Sequence, residues 1–201
     1  MLTDAAFTLG DTPTSWAELL GFITGALNVW LVVRQRISNW PVGILNVALL
    51  MLVFWTSGLY ADAGLQILYV LLGFYGWWAW LYGGHDRTRL VVTGTGAGEA
   101  VALAVSGVVL TAALWLFLDR ATDSTVPFPD AVTTALSLLA TYGQTRKRWE
   151  SWWLWITADL IYIPLYAYKG LYLTSALYLI FLALCVFGLR QWRAVRTLAP
   201  A

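Results

Sequence analysis

The segment Glu150-Ser151-Trp152-Trp153-Leu154-Trp155-Ile156-Thr157-Ala158-Asp159 sets indoles and an acid in a chain otherwise built of long apolar runs. On a helix, Trp152, Trp155, Asp159, Tyr162 and Tyr166 fall at i, i+3, i+7, i+10 and i+14, forming one stripe. A helix starting near residue 150 puts Asp159 roughly 13 Å along its axis. That is close to the middle of a hydrocarbon core about 30 Å thick. Insertion scales set the cost of an aspartate there at about 2.5–3.5 kcal/mol. Two readings justify it. The acid makes a hydrogen bond between helices, or is protonated and capped by Tyr or Thr. Alternatively it lines a polar cavity, and the flanking aromatic faces then suit a flat, polar, cationic solute. Trp152 and Trp155 share this ambiguity, because a helix starting at the interface also places tryptophans in the aromatic belt. Trp153 lies off the stripe and faces lipid or the interface.

Further polar groups recur on other apolar segments. Asp62, Gln66 and Tyr69 are spaced i, i+4, i+7, as are Thr174, Tyr178 and Phe181, and Ser137, Thr141 and Gln144. Tyr142 adjoins the last set, and Asn28 and Asn46 stand alone in their runs. Any one of these serves as adhesion between helices, at about 0.6 kcal/mol. Together they exceed what adhesion needs. Amides and hydroxyls suit a ribose or a carboxamide, and aromatic faces suit a ring. The candidate substrate-binding residues are therefore Trp152, Trp155, Asp159, Tyr162, Gln66, Tyr69, Tyr178, Asn46, Asn28 and Tyr142.

Other chemistries find little footing. Gly94-Thr95-Gly96-Ala97-Gly98 resembles a phosphate loop, but Glu99 follows it where a small residue is needed, and it leads into an apolar helix. His85 is the one histidine and Cys185 the one cysteine, so a His- or Cys-based metal site and an internal disulfide are not expected. No serine–histidine pair or carboxylate cluster marks a hydrolase. No catalytic residues and no cofactor are expected. The basic residues are scattered at segment ends, against nucleic-acid binding.

The elements that position these groups read as membrane spans. Of 201 residues, 60% are hydrophobic and 11% charged. A soluble domain carries about 25% charged residues. Seven helices are expected, at about 16–34, 39–57, 60–82, 98–118, 128–145, 150–168 and 171–192. Asn39 is placed as the cap of the second, with Pro41 in its first turn. Pro164 interrupts the sixth as a static kink or a hinge. With connections on alternating sides, ten of the twelve Lys and Arg fall on one side and only Arg120 and Lys169 on the other. The positive-inside rule then sets the N-terminus outside and the C-terminus in the cytoplasm.

Shifting the chain by 112 residues aligns Arg34 and Arg36 with Arg146 and Arg148. It also aligns Trp40 with Trp152, Ile44 with Ile156, Gly58-Leu59-Tyr60 with Gly170-Leu171-Tyr172, Gly76 with Gly188 and Trp80 with Trp192. Helices 1–3 thus correspond to helices 5–7, and helix 4 keeps the two triplets parallel. Parallel repeats are one architecture of secondary transporters, with the substrate at the repeat interface.

Several motifs resemble the PnuC family of bacterial vitamin transporters. They are Asn39-Trp40-Pro41-x-Gly43-Ile44, Gly58-Leu59-Tyr60-Ala61-Asp62-x-x-Leu65-Gln66-x-x-Tyr69, Tyr75-Gly76-Trp77, Glu150-x-Trp152-x-x-Trp155-x-x-x-Asp159 and Lys169-Gly170-Leu171-Tyr172-Leu173-Thr174. The resemblance spans roughly residues 16–192. It implies a nicotinamide riboside transporter with a SWEET-like fold. That fold is all-α and integral to the membrane, with seven transmembrane helices as two parallel three-helix bundles and a linker helix. It implies facilitated diffusion feeding NAD biosynthesis, with cytosolic phosphorylation trapping the vitamin, and it assigns the WxxW tryptophans Trp152 and Trp155 to the substrate site. Some family members carry thiamine or another vitamin.

The resulting expectation is an N-terminal extracellular segment 1–15, a first bundle 16–82, a linker helix 98–118, a second bundle 128–192 and a cytoplasmic tail 193–201. The partners expected are nicotinamide riboside or thiamine, membrane lipid and a second copy of the chain in a homo-oligomer. Localisation is expected in the bacterial cytoplasmic membrane. A sugar transporter, on the strength of the triplet repeat, and a membrane enzyme or accessory scaffold are the competing readings.

Overall fold

The computed structural model describes residues 5–9, 12–56, 60–122, 124–168 and 172–198. Seven α-helices follow a short antiparallel hairpin of β1 (Ala5–Leu9) and β2 (Thr12–Ser15). The helices are α1 (Trp16–Val33), α2 (Asn39–Thr56), α3 (Tyr60–Tyr82), α4 (Ala97–Ala121), α5 (Pro127–Thr145), α6 (Ser151–Tyr168) and α7 (Tyr172–Leu198). The seven helices agree with the expected all-α fold, and the hairpin precedes them. The shared turns at 58–59 and 169–171, and the side chains of Asp62 and Thr174, lie outside the described residues.

Among the described residues four helices are long and apolar enough to cross a membrane: α2, α3 from Ala63, α4, and α7 over Ser175–Arg196. The sequence led us to expect seven. Two of the others carry the polar chemistry itself. Thr133, Thr134, Ser137, Thr141 and Gln144 lower the hydropathy of α5, and Thr157, Asp159 and three tyrosines lower that of α6. A helix that lines polar groups reads as less apolar than one that faces lipid. No residue of α4 is buried, as suits a lipid-facing span.

The chain forms two compact units, residues 1–90 and 91–201. In the first, α1 packs on α2 and α2 on α3. In the second, α4 packs on α5, α5 on α6 and α6 on α7.

The 112-residue repeat is reproduced atom by atom where the first helix of each triplet turns into the second. Gln35 (φ 52°) and Lys147 (φ 50°) both adopt the left-handed conformation. Gln35 N donates to Val32 O (2.9 Å) and Arg36 N to Leu31 O (2.9 Å). Lys147 N donates to Gln144 O (3.0 Å) and Arg148 N to Gly143 O (2.8 Å). Each is a Schellman closure that satisfies the last carbonyls of a helix. Asn39 Nδ2 then donates back to Arg36 O (2.6 Å), and Ser151 Oγ to Arg148 O (2.7 Å). Asn39 was expected to cap α2. Its amide nitrogen donates backward to Arg36 O and closes the turn that leads into α2.

The repeat also sets the packing. Trp40 meets Trp80 edge-on, centroids 5.3 Å apart at 89°, and Trp152 meets Trp192 at 5.4 Å and 90°. A Cβ at Gly76 would overlap the Trp40 ring, and one at Gly188 would stand 2.6 Å from Trp152 Cη2. Each glycine is the hole that admits an indole. The cytoplasmic tail expected from 193 is helical as far as Leu198, because α7 continues and lays Arg193 and Arg196 over the Trp149 ring at 5.5 and 5.6 Å.

Candidate functional site

In the second unit, α6 carries the aromatic–acid stripe and the structure divides it. Trp152 is wholly buried between Gly188 and Trp192, so its ring is spent on packing within its own bundle. Trp155 is half-buried, and its Nε1 is enclosed without a hydrogen-bond partner. Asp159 is 3% exposed, its Oδ2 likewise unpartnered, with the Cys185 thiol of α7 within hydrogen-bonding reach. Burying a polar group without a partner is costly. The indole N–H groups of Trp40, Trp149 and Trp152 are unpartnered too, so it is the carboxyl oxygen of Asp159 that stands out on α6.

Beyond Asp159, Tyr162 lies near Thr133 and Ser137 on α5. Tyr162 stacks on Tyr166 (5.5 Å, 18°), and both meet Tyr178 of α7 at 4.8 and 5.1 Å. Phe181 closes the group edge-on to Tyr178 at 5.5 Å. Pro164 lies within α6, and nearby Ser175 Oγ of α7 donates to Ile163 O (2.8 Å). The hydroxyl thus binds α6 to α7 where proline breaks the backbone ladder. The α5 hydroxyls mostly donate into their own helix, Thr133 to Pro129 O (2.9 Å) and Thr141 to Ser137 O (2.8 Å), which leaves their oxygens free to accept.

The structure therefore brings together Trp155, Asp159, Tyr162 and Tyr178, and adds Thr133, Ser137, Tyr166 and Cys185. Of the added groups, Thr133 and Cys185 carried no signal beyond membership of an apolar helix. Tyr142 is half-buried on α5.

The first unit carries the remaining candidates. Asn46 Nδ2 donates to Gly21 O and to Thr24 Oγ1 (3.2 Å), tying α2 to α1. Gln66 is buried, and Tyr69 is half-buried on the same helix. The amide of Asn28 lies 3.1–3.3 Å from where a Cβ on Gly43 would sit, and its Oδ1 has no partner. The repeat places Asn28 opposite Ala140 and Gly43 opposite Trp155. At these two positions one bundle has an amide and a glycine, and the other an alanine and an indole. In the same register Asp159, Tyr162 and Tyr166 answer to Val47, Leu50 and Phe54. The titratable stripe belongs to the second bundle.

A family model described as nicotinamide mononucleotide transporter matches residues 15–194. The riboflavin/roseoflavin transporter RibM of Streptomyces davaonensis is 30% identical over 95% of this chain and 91% of its own length. The nicotinamide riboside transporter PnuC of Escherichia coli is 29% identical over 91% of this chain and 87% of its own. A crystal structure of the vitamin B3 transporter PnuC superposes with a TM-score of 0.73 at 26% identity, covering 92% of this chain and 83% of that one. These relatives are transporters, not enzymes. The chain belongs to the nicotinamide mononucleotide transporter family, the PnuC family of multi-pass membrane proteins that carry vitamins.

Proposed function

We infer that this protein carries nicotinamide riboside down its gradient across the bacterial cytoplasmic membrane, with cytosolic phosphorylation trapping the vitamin. The observation that carries the reading is the buried, unpartnered carboxyl oxygen of Asp159 on α6, one turn from the half-buried Trp155 ring and beside clustered aromatic rings. A pyridinium ring is planar and cationic, and a ribose offers hydroxyls. An indole face, an acid and the oxygens of Thr133 and Ser137 match those features in kind. In this reading Trp155, Asp159, Tyr162 and Tyr178 contact the solute, while Trp152 supports them by holding α6 against α7. Gln66, Tyr69, Asn28 and Tyr142 are further candidate contacts.

The reproduced turns and Trp–Gly–Trp contacts of the two triplets support a parallel-repeat, SWEET-like arrangement, with α4 as the linker. Ten basic residues on one side support a cytoplasmic C-terminus.

Riboflavin is a second reading, favoured by the likeness to the Streptomyces davaonensis transporter. Its ring is flat but neutral, so a buried acid offers it less. Uptake into proteoliposomes without an imposed ion gradient tests both. Saturable entry of labelled nicotinamide riboside, unaffected by excess glucose and competed only weakly by riboflavin or thiamine, is the expected result. Saturable riboflavin entry that nicotinamide riboside does not inhibit would replace the first reading by the second.

A further inference from the structure

The segment before α4 resembled a phosphate loop in sequence, and it does something else. Thr93 forms a parallel bridge with Arg148: Thr93 N donates to Lys147 O (3.1 Å), and Trp149 N donates to Thr93 O (3.2 Å). The Arg148 guanidinium then grips it. Nη1 donates to Thr93 Oγ1 (2.6 Å) and Gly94 O (2.8 Å), and Nε to Glu99 Oε1 (3.3 Å). Nη2 pairs with Glu99 Oε2 at 2.6 Å. Glu150, immediately before α6, accepts from Thr95 N and from Thr95 Oγ1, both at 3.0 Å. A Cβ on Gly94 would lie 3.2 Å from Glu150 Oε1 and 3.3 Å from Arg196 Cζ, so the strand is threaded between α6 and the C-terminal turns of α7.

Three elements of the second unit are thereby tied at one end: α4 through Glu99, the α5–α6 turn through Arg148, and the start of α6 through Glu150, while Arg196 of α7 lies beside Gly94. The ion pair is about one-fifth exposed on each side. A charge pair so shielded, with a forked geometry, fixes orientation better than a solvated one. The repeat supplies an internal control. Arg36, Ile37 and Ser38 occupy the same turn in the first bundle, and all three are exposed. The turn is duplicated, but the strap is described only on the bundle that carries Asp159 and the tyrosines.

We propose that residues 93–99 form a strap that sets the axial rotation of α6, making Arg148 and Glu150, with Glu99 and Thr95, positioning residues for the solute site. This rests on the reading of α6 as a solute-binding helix. Trp155 and Asp159 are one and two turns along from the strapped end, and a helix that turns about its axis carries both stripe groups away from where they point.

Glu99→Gln and Thr95→Val test it, because both change the strap and leave α6 untouched. In proteoliposomes each should raise KM about two- to fivefold, the range open to a shielded charge or hydrogen-bond contact. Maximal rate and thermal midpoint should stay near those of the parent protein. Arg36→Gln, on the equivalent unstrapped turn, should leave KM unchanged. Cys185, the chain's one cysteine, gives a readout that needs no vitamin. It is 3% exposed and lies against Asp159. Maleimide labelling of it should quicken in both strap variants and not in Arg36→Gln. If KM and labelling rate both match the parent, the strap does not position α6. A fall in thermal midpoint with KM unchanged would make it structural reinforcement only and would equally overturn the proposal. If the parent carries none of the vitamins tested, the functional reading fails, while the labelling comparison still decides whether the strap holds α6.

Discussion

Trp152 stands edge-on to Trp192, 5.4 Å between centroids, with the bare face of Gly188 against its ring. Trp40 and Trp80 do the same around Gly76 in the other bundle. The contact is therefore part of the duplicated frame, present with or without a titratable stripe beside it. It separates two tryptophans of one WxxW element into a support and a candidate contact.

Trp152→Ala should behave as a core truncation. Deleting a fully buried indole costs about 3–5 kcal/mol. Thermal unfolding in detergent should show a large fall in midpoint, accompanied by loss of transport in proportion to folded protein. A stable Trp152→Ala protein with weakened affinity would place this indole at the solute instead.

Trp155→Ala should do the opposite. The half-buried ring is expected to be a solute contact, so the dissociation constant should rise about tenfold, or about 1.4 kcal/mol. The midpoint should fall less than in Trp152→Ala. Titration of purified protein with nicotinamide riboside checks it, and unchanged affinity removes Trp155 from the site.

Asp159→Asn keeps shape and removes the negative charge. Uptake of the cationic vitamin should fall by about tenfold, while a neutral flat competitor such as riboflavin should bind as well as before. Equal loss for both would mean that Asp159 serves the fold through Cys185 and not the charge of the solute.

Gly76→Ala and Gly188→Ala should each destabilise by about 1–3 kcal/mol, since an indole backed by a second indole has no room to retreat. The matched pair is the sharper measurement. Similar losses at both positions are expected from the repeat, and a loss at one alone would mean the two frames are not equivalent in solution.

Asn46→Ala should cost about 0.6 kcal/mol, the usual worth of a hydrogen bond between membrane helices. KM should not change, because its amide is committed to Gly21 and Thr24. A raised KM would return Asn46 to the substrate site.

The boundaries of the helices were legible in the sequence because hydropathy and turn residues act locally. The expected 39–57 and 60–82 are Asn39–Thr56 and Tyr60–Tyr82 in the structure. The duplication was legible too, since it aligned Trp40, Gly76 and Trp80 with Trp152, Gly188 and Trp192, the same three residues that touch in each bundle. Periodicity along α6 could not show which tryptophan of its stripe meets a glycine. Both lie on one face, and the glycine sits on a helix that begins after another turn. Nor could it reveal the strap, because Thr93 and Glu99 are each about fifty residues from Arg148 and nothing local in the chain requires them to meet it. Local sequence decides where a helix starts and which face is polar. Only packing between helices decides which rings are consumed by the frame, like Trp152 between Gly188 and Trp192, and which, like Trp155, stay half-buried beside an unpartnered Asp159 oxygen.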